Sequence, residues 1–386
     1  MNIFIKKIII FLIPVGLILI FPALVLFFGR EYYSIEAGIK AQITKPETIF
    51  GFSYNNLGPI YKKLLIDVMN PEVITLGSSR VMQFRKEFFT EPNKFINAGG
   101  GATGIDNIEE FIKRLPPDNK VNFIILGLDQ EMFKVSPSVN LPLDSNSETY
   151  YQKNVFERFV VLLIKNWKKI YQDYFLKKFS LVELSKQSPK TNNIGISAII
   201  NKDGFRHDGS YQYGKVINGK NRIMNLKLEI DKTLQLIKQD RSSFRYGESI
   251  SKPAINYLGN ILKLSKERGI YVIGFLPPYA NQTYQEMVSV DDSYKKIVID
   301  LPNELNSIFS NYDFSFYDFS DIRVLGANDN EFIDQSHGTD KLYLRMIIHM
   351  AEKNKELNQY TDLNKLKEIL QQTNGDFLAL NSPNNE

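Results

Sequence analysis

Five short runs in this chain, residues 73–76, 95–98, 122–128, 270–276 and 314–319, read as strands, and several are apolar on consecutive rather than alternate positions. A strand with no polar face must be covered on both sides, which is the condition of a buried parallel sheet. Helical patterns separate the runs. Thr103-Gly104-Ile105-Asp106 reads as a capping signal for a helix over 105–115, with Ile108, Phe111, Ile112 and Leu115 on one face. Ser251-Lys252-Pro253 opens a second helix through Tyr257, Ile261 and Leu264 that stops at Gly269, and a third runs over about 341–353. Strand and helix in alternation predict a doubly wound α/β sheet.

The amino terminus is of another kind. Residues 8–28 hold no charged side chain, and at about 1.5 Å per residue such a helix spans a ~30 Å hydrocarbon layer. Lys6 and Lys7 precede it, which by the positive-inside rule leaves the first residues cytoplasmic and the remaining chain periplasmic or extracellular. The run is longer than the apolar core of a cleaved signal peptide, and no small-x-small site follows it. The expectation is therefore a cytoplasmic tip at 1–7, an uncleaved transmembrane anchor at 8–28 and an aromatic-rich stalk at 29–69. The main domain then covers 70–350, and a C-terminal helix with a disordered tail fills 351–386.

Residues 134–250 interrupt the alternation as a long insertion. Within it, Tyr150 to Phe179 is amphipathic and holds the sole tryptophan, Trp167, with lysines at 165, 168, 169, 177 and 178. That pattern reads first as a core-facing helix pair with a solvated lysine face, and second as a surface for a membrane or a partner. The stretch from Asp203 to Tyr211, with Gly204 and Gly209 in it, reads as an ordered loop or hairpin. Without Lys6 and Lys7 the chain has 45 basic against 43 acidic residues, a balance that argues against nucleic acid as partner. No cysteine is present, which excludes thiol chemistry. The three histidines lack metal-ligand spacing, and Gly99-Gly100-Gly101-Ala102-Thr103-Gly104 lacks the lysine of a phosphate loop, so no metal and no cofactor are expected.

The chemistry sits at two distant places. Val73-Ile74-Thr75-Leu76 runs into Gly77-Ser78-Ser79-Arg80, which puts a serine at the carboxyl end of a strand, where open α/β sheets hold their sites. Far downstream, Asp334-Gln335-Ser336-His337 supplies an imidazole base and a carboxylate to orient it. Ser79, His337 and Asp334 are thus the candidate nucleophile, base and orienting acid. Arg80 reads as structural and paired with an acid, His207 as a loop residue, and His349 as packing within the last helix. An acyl-transfer oxyanion needs donors, and the candidates are the Ser79 N–H and one N–H of the glycine turn.

These blocks, in this order, resemble those of the SGNH (GDSL-type) hydrolase superfamily: Gly77-Ser78-Ser79, a glycine turn after the next strand, Gly127-Leu128-Asp129-Gln130 after the third, and a late Asp-x-x-His. The likeness is greatest to its membrane-anchored bacterial branches in polysaccharide O-acetylation and teichoic-acid D-alanylation. It implies a three-layer flavodoxin-like α/β fold with Ser79 as nucleophile, Asp334 and His337 as its partners, and Gly99 or Gly100 as second oxyanion donor. It further implies a glycan or teichoic-acid-like acceptor and a membrane-bound O-acyltransferase as companion. Two positions depart from the pattern. Ser78 stands where many members have aspartate. Asp129 stands where the family offers an asparagine donor, and a carboxylate donates only when protonated, which makes the neighbouring Gln130 the substitute candidate. The function implied is an extracytoplasmic serine O-acyltransferase or esterase on envelope or exported polysaccharide; the alternative is an inactive glycan-binding or scaffolding protein.

Overall fold

The computed structural model describes residues 16, 18–116, 118–134, 153–239, 249–290, 294 and 296–378. In chain order the strands are β1 (Val73–Gly77), β2 (Phe95–Gly99), β3 (Phe123–Gly127), β4 (Asp203–Phe205), β5 (Tyr211–Tyr213), β6 (Tyr271–Leu276) and β7 (Ser315–Asp318). The helices that matter below are α1 (Gly58–Met69), α2 (Ile105–Lys113), α3 (Val155–Phe175), α4 (Arg222–Lys238), α5 (Lys252–Glu267), α6 (Leu301–Ser310), α7 (Asp340–Lys353) and α8 (Leu363–Gln372).

The described residues form two units, the larger drawn from Gly58–Leu143, Asp208–Ser210 and Val216–Glu386. It holds a five-stranded sheet in the order β2-β1-β3-β6-β7, and every neighbouring pair is parallel. All five residues of each of β1, β2 and β3 are buried, including the polar Thr75 of β1 and Asn97 of β2, as strands covered on both faces require. Helices precede, separate and follow the strands in the manner of a three-layer α/β domain. From β1 the chain steps outward to β2 and then returns past β1 to β3, so the switch in strand order falls at the carboxyl end of β1. Open sheets of this kind part there to leave a crevice.

Local chemistry explains the element ends. Ser251 caps α5 by accepting from the Ala254 N–H, Pro253 fills its first turn, and Gly269 follows it with φ +70°. The cap of α2 differs from expectation: Gly104 holds the N-cap position with no side-chain bond, and Thr103 takes no part. The core runs from the sheet into α7 and α8, through Phe84 against Phe275 and Tyr343 at ring separations of 5.7 and 4.9 Å. The C-terminal segment therefore belongs to the core. Leu378 is buried and its N–H donates to Asp340; residues 379–386 of the expected tail lie outside the described residues.

The smaller unit holds the described residues within Met1–Leu57, Asp144–His207 and Tyr211–Lys215. Residues 29–69 are accordingly no stalk. Arg30 donates to the carbonyls of Ser188, Thr191 and Asn193, and Phe50 bridges both Ile194 and Phe205. The fully buried Glu31 accepts from the N–H groups of Ser53, Tyr54 and Ile196. Burial pushes this carboxyl up to about 7, against the lowering effect of those three bonds. The helix at the end of the supposed stalk is α1, which packs in the larger unit. The supposed insertion is likewise divided: α3 and the β4–β5 hairpin lie in the smaller unit, α4 in the larger. Residues 18–28 are helical. Among the described residues no helix is long and apolar enough to cross a membrane; residues 8–15 and 17 of the 8–28 run lie outside them.

Candidate active site

Gly77 ends β1 with φ +148°, and a Cβ there would stand 2.7 Å from the Gly127 carbonyl oxygen, so only glycine lets β1 and β3 approach here and the chain turn. Ser78 caps the turn that follows by accepting from the Arg80 N–H at 3.1 Å. Ser79 is thereby the first residue of a short 3-10 helix, half-buried at the tip of β1. The buried Asn97 of β2 supports the turn from beneath, donating to the Val81 and Phe84 carbonyls at 2.9 Å each.

His337 reaches the same place from a tight loop. Phe332 bridges Gly338 across that loop, and the Ile333 N–H donates to the His337 carbonyl at 2.7 Å. Glu331, buried at its base, is held by Arg345 of α7 at 2.9 Å. The Ser79 hydroxyl lies 2.8 Å from His337 Nε2, and His337 Nδ1 lies 2.8 and 2.9 Å from the two Asp334 oxygens. An ionised carboxylate only accepts, so Nδ1 carries the proton and Nε2 presents its lone pair to Ser79. Asp334 also accepts from the N–H groups of Ser336 and His337 at 2.9 Å each. Burial alone would raise this carboxyl; the His337 bond and charge and the two backbone donors outweigh it and hold it below its ordinary value. The three residues separated by 258 positions in sequence thus form one hydrogen-bonded chain.

Arg80 is the tie between the loops. Its guanidinium donates to Ser336 O beside the histidine, to Gln130 Oε1 after β3, and to Pro277 O and Pro278 O after β6. It lies 4.5 Å from the Tyr279 ring centroid and 3.6 Å from Glu131, the acid partner expected of it.

The oxyanion side differs from expectation. The Gly99 N–H is taken by Asn97 Oδ1 at 2.8 Å, the Gly100 N–H by Gly77 O at 2.9 Å, and the Gly101 N–H by Ala98 O at 3.0 Å. Neither Gly99 nor Gly100 is left to donate; their role is to build the turn. The next residue, Ala102, is buried, and its N–H makes no hydrogen bond among the described residues. Gln130 is also spent: its amide hydrogens go to Pro277 O and Ser320 Oγ. Asp129 remains at the mouth of β3, hydrogen-bonded by the Ser78 side chain, with a buried Oδ1 that has no partner. Burial and the nearby Glu131 raise its carboxyl, while Arg80, Ser78 and His337 pull the other way without prevailing. Arg80 gives its four hydrogen bonds to Ser336 O, Gln130 Oε1, Pro277 O and Pro278 O and its ion pair to Glu131, and among the described residues no salt bridge reaches Asp129.

Comparison of the chain with protein-family models, with curated proteins and with solved structures returns no match in any of the three.

Proposed function

We propose that this protein is a membrane-attached serine O-acyltransferase or esterase, of SGNH-like fold, acting on O-acyl groups of envelope or exported polysaccharide outside the cytoplasm. The observation that carries the reading is the unbroken line Ser79 Oγ, His337 Nε2, His337 Nδ1, Asp334 at hydrogen-bond distances. A serine whose proton has a positioned acceptor is a competent nucleophile; a serine alone is not.

Ser79 Oγ attacks the acyl carbonyl carbon while its proton passes to His337 Nε2. The carbonyl oxygen takes up the negative charge, with the N–H groups of Ser79 and Ala102 and a protonated Asp129 as its donors. The imidazolium, steadied by Asp334, gives its proton to the departing alcohol oxygen as the C–O bond breaks. An acceptor hydroxyl then loses its proton to His337, attacks the acyl-enzyme and frees Ser79; a sugar hydroxyl gives transfer and water gives hydrolysis. The apolar amino-terminal run and the resemblance of the motif blocks to those of polysaccharide-modifying enzymes favour transfer, beside a membrane-bound O-acyltransferase as acyl source.

The second reading is a glycan-binding or scaffolding protein, and Asp129 in place of a neutral donor is what favours it. Turnover of an aryl acetate separates the two. The enzyme reading expects release of the phenol by the parent chain and a loss of about 10³-fold or more in Ser79→Ala and in His337→Ala. Equal rates in parent and both variants would leave only the scaffold.

A further inference from the structure

The smaller unit turns large apolar side chains to solvent along two adjoining helices. On α3, Phe156 is 75 %, Phe175 74 % and Ile164 67 % exposed, and Leu176 just beyond is 69 % exposed. On the helix of residues 18–28, Phe27 is 56 % and Ile20 53 % exposed. The two helices are packed together: the Phe21 ring stacks on Tyr171 at 5.1 Å and meets Tyr174 edge-on at 4.8 Å, and the Tyr171 hydroxyl donates to Ile18 O at 2.8 Å.

The pattern on α3 has three sectors. At 3.6 residues per turn, Phe156, Ile164, Trp167, Tyr171 and Phe175 fall within an arc of about 100°. Leu162 and Asp173 are buried on the far side, and the buried Ile170 stands between that side and the arc. Lys168 borders the apolar arc beside Glu157, Lys165 stands about 80° beyond its edge, and Lys177 follows the helix end, all three lysines exposed. An apolar stripe edged by lysines suits the boundary of a bilayer, with the stripe among acyl chains and the ammonium groups among headgroup phosphates. The same apolar surface continues along residues 18–28, the second half of a stretch uncharged from Ile8 onward. A perpendicular placement of 18–28 would carry the end of α3, with Lys177 and Lys178, toward the bilayer centre at a cost of several kcal/mol. A placement along the surface avoids that cost.

We infer that α3 and the helix of residues 18–28 lie side by side in the interface of an anionic lipid bilayer, parallel to its plane. This goes beyond the membrane attachment proposed above by naming its surface, orientation and lipid class, and it does not depend on catalysis.

Trp167 is the only tryptophan in the chain and sits within the stripe, so the unmodified protein carries its own reporter. The full chain is reconstituted in phosphatidylcholine vesicles with and without phosphatidylglycerol, containing lipids brominated at a shallow or a deep acyl position. Shallow bromines in phosphatidylglycerol vesicles are expected to quench Trp167 at least about twofold more than deep ones. The Lys168→Glu/Lys177→Glu chain should lose most of that quenching, and Ser79→Ala should keep all of it even if the catalytic proposal fails. Failure to sediment with vesicles, absent quenching, or stronger quenching by deep bromines overturns the in-plane seat. Equal quenching without phosphatidylglycerol overturns the lipid class. A Phe156→Ser/Phe175→Ser chain that folds normally yet quenches as the parent does would also contradict it.

Discussion

Asp129 concentrates the electrostatic cost of the site. A buried carboxyl oxygen without a partner costs about 1–3 kcal/mol, and its environment favours the proton. A raised acid pKa means that the folded chain holds this proton more tightly than the unfolded chain, so stability is lost as pH rises from the ordinary carboxylate range to the raised value. Asp129→Asn keeps an acceptor for Ser78 and supplies a permanent donor. It is expected to raise stability by about 1 kcal/mol at neutral pH, with less gain near pH 4, measured by denaturant midpoints. Ester turnover should rise about tenfold or more at any pH where the parent carboxyl has ionised and lost its donor; equal pH profiles would remove Asp129 from the oxyanion site. Asp334 has the opposite sign. Its lowered carboxyl contributes stability above the ordinary carboxylate range, and that contribution fades on acidification through the depressed value. Arg80 tests positioning. Arg80→Lys keeps the charge but cannot span Ser336, Gln130, Pro277 and Pro278 together, so kcat should fall about 10²-fold with KM little changed. Unchanged kcat would show that the loops need no such tie.

At the scale of elements, the segment Asp208-Gly209-Ser210 closes the free edge of β2. Asn97 N–H donates to Asp208 O at 2.8 Å, and the buried Lys62 of α1 donates to Asn97 O and Gly209 O. Burial lowers the Lys62 ammonium to about 7, with Asp208 the opposing influence. Gly209 holds φ +80°, and a Cβ there would collide with the Asn97 carbonyl oxygen. Gly209→Ala is expected to cost about 2–3 kcal/mol in urea unfolding and to lower turnover through Asn97, which supports the Ser79 turn. A variant as stable and active as the parent would show that the edge closure is dispensable. This closure was hidden in the sequence, since a hairpin loop of Gly, Asp and Ser carries no mark of the strand it will cover. The same holds for Lys62, whose burial depends on two carbonyls that no pattern announces.

At the scale of the molecule, the legible parts are those with a period or a strong residue type. Consecutive apolar positions gave the parallel strands, and Ser79, Asp334 and His337 could be paired because few residues do that chemistry. The oxyanion donors are not legible because a backbone N–H has no residue signature: Gly99 and Gly100 spend theirs on Asn97 and Gly77, and among the described residues the buried Ala102 N–H has no acceptor. Gln130 was misread because its partners, Pro277 and Ser320, come from loops more than 140 positions away. The mixed composition of residues 29–69 reads as a stalk, whereas the buried Glu31 ties their first part into the smaller unit and the rest packs in the larger. A nucleophilic Ser79 underlies every step of the proposed reaction. Incubation with a fluorophosphonate followed by peptide mass spectrometry should place one adduct on Ser79, absent in Ser79→Ala and formed at least about 10²-fold more slowly in His337→Ala. An adduct elsewhere, or labelling of Ser79→Ala at the parent's rate, would contradict it.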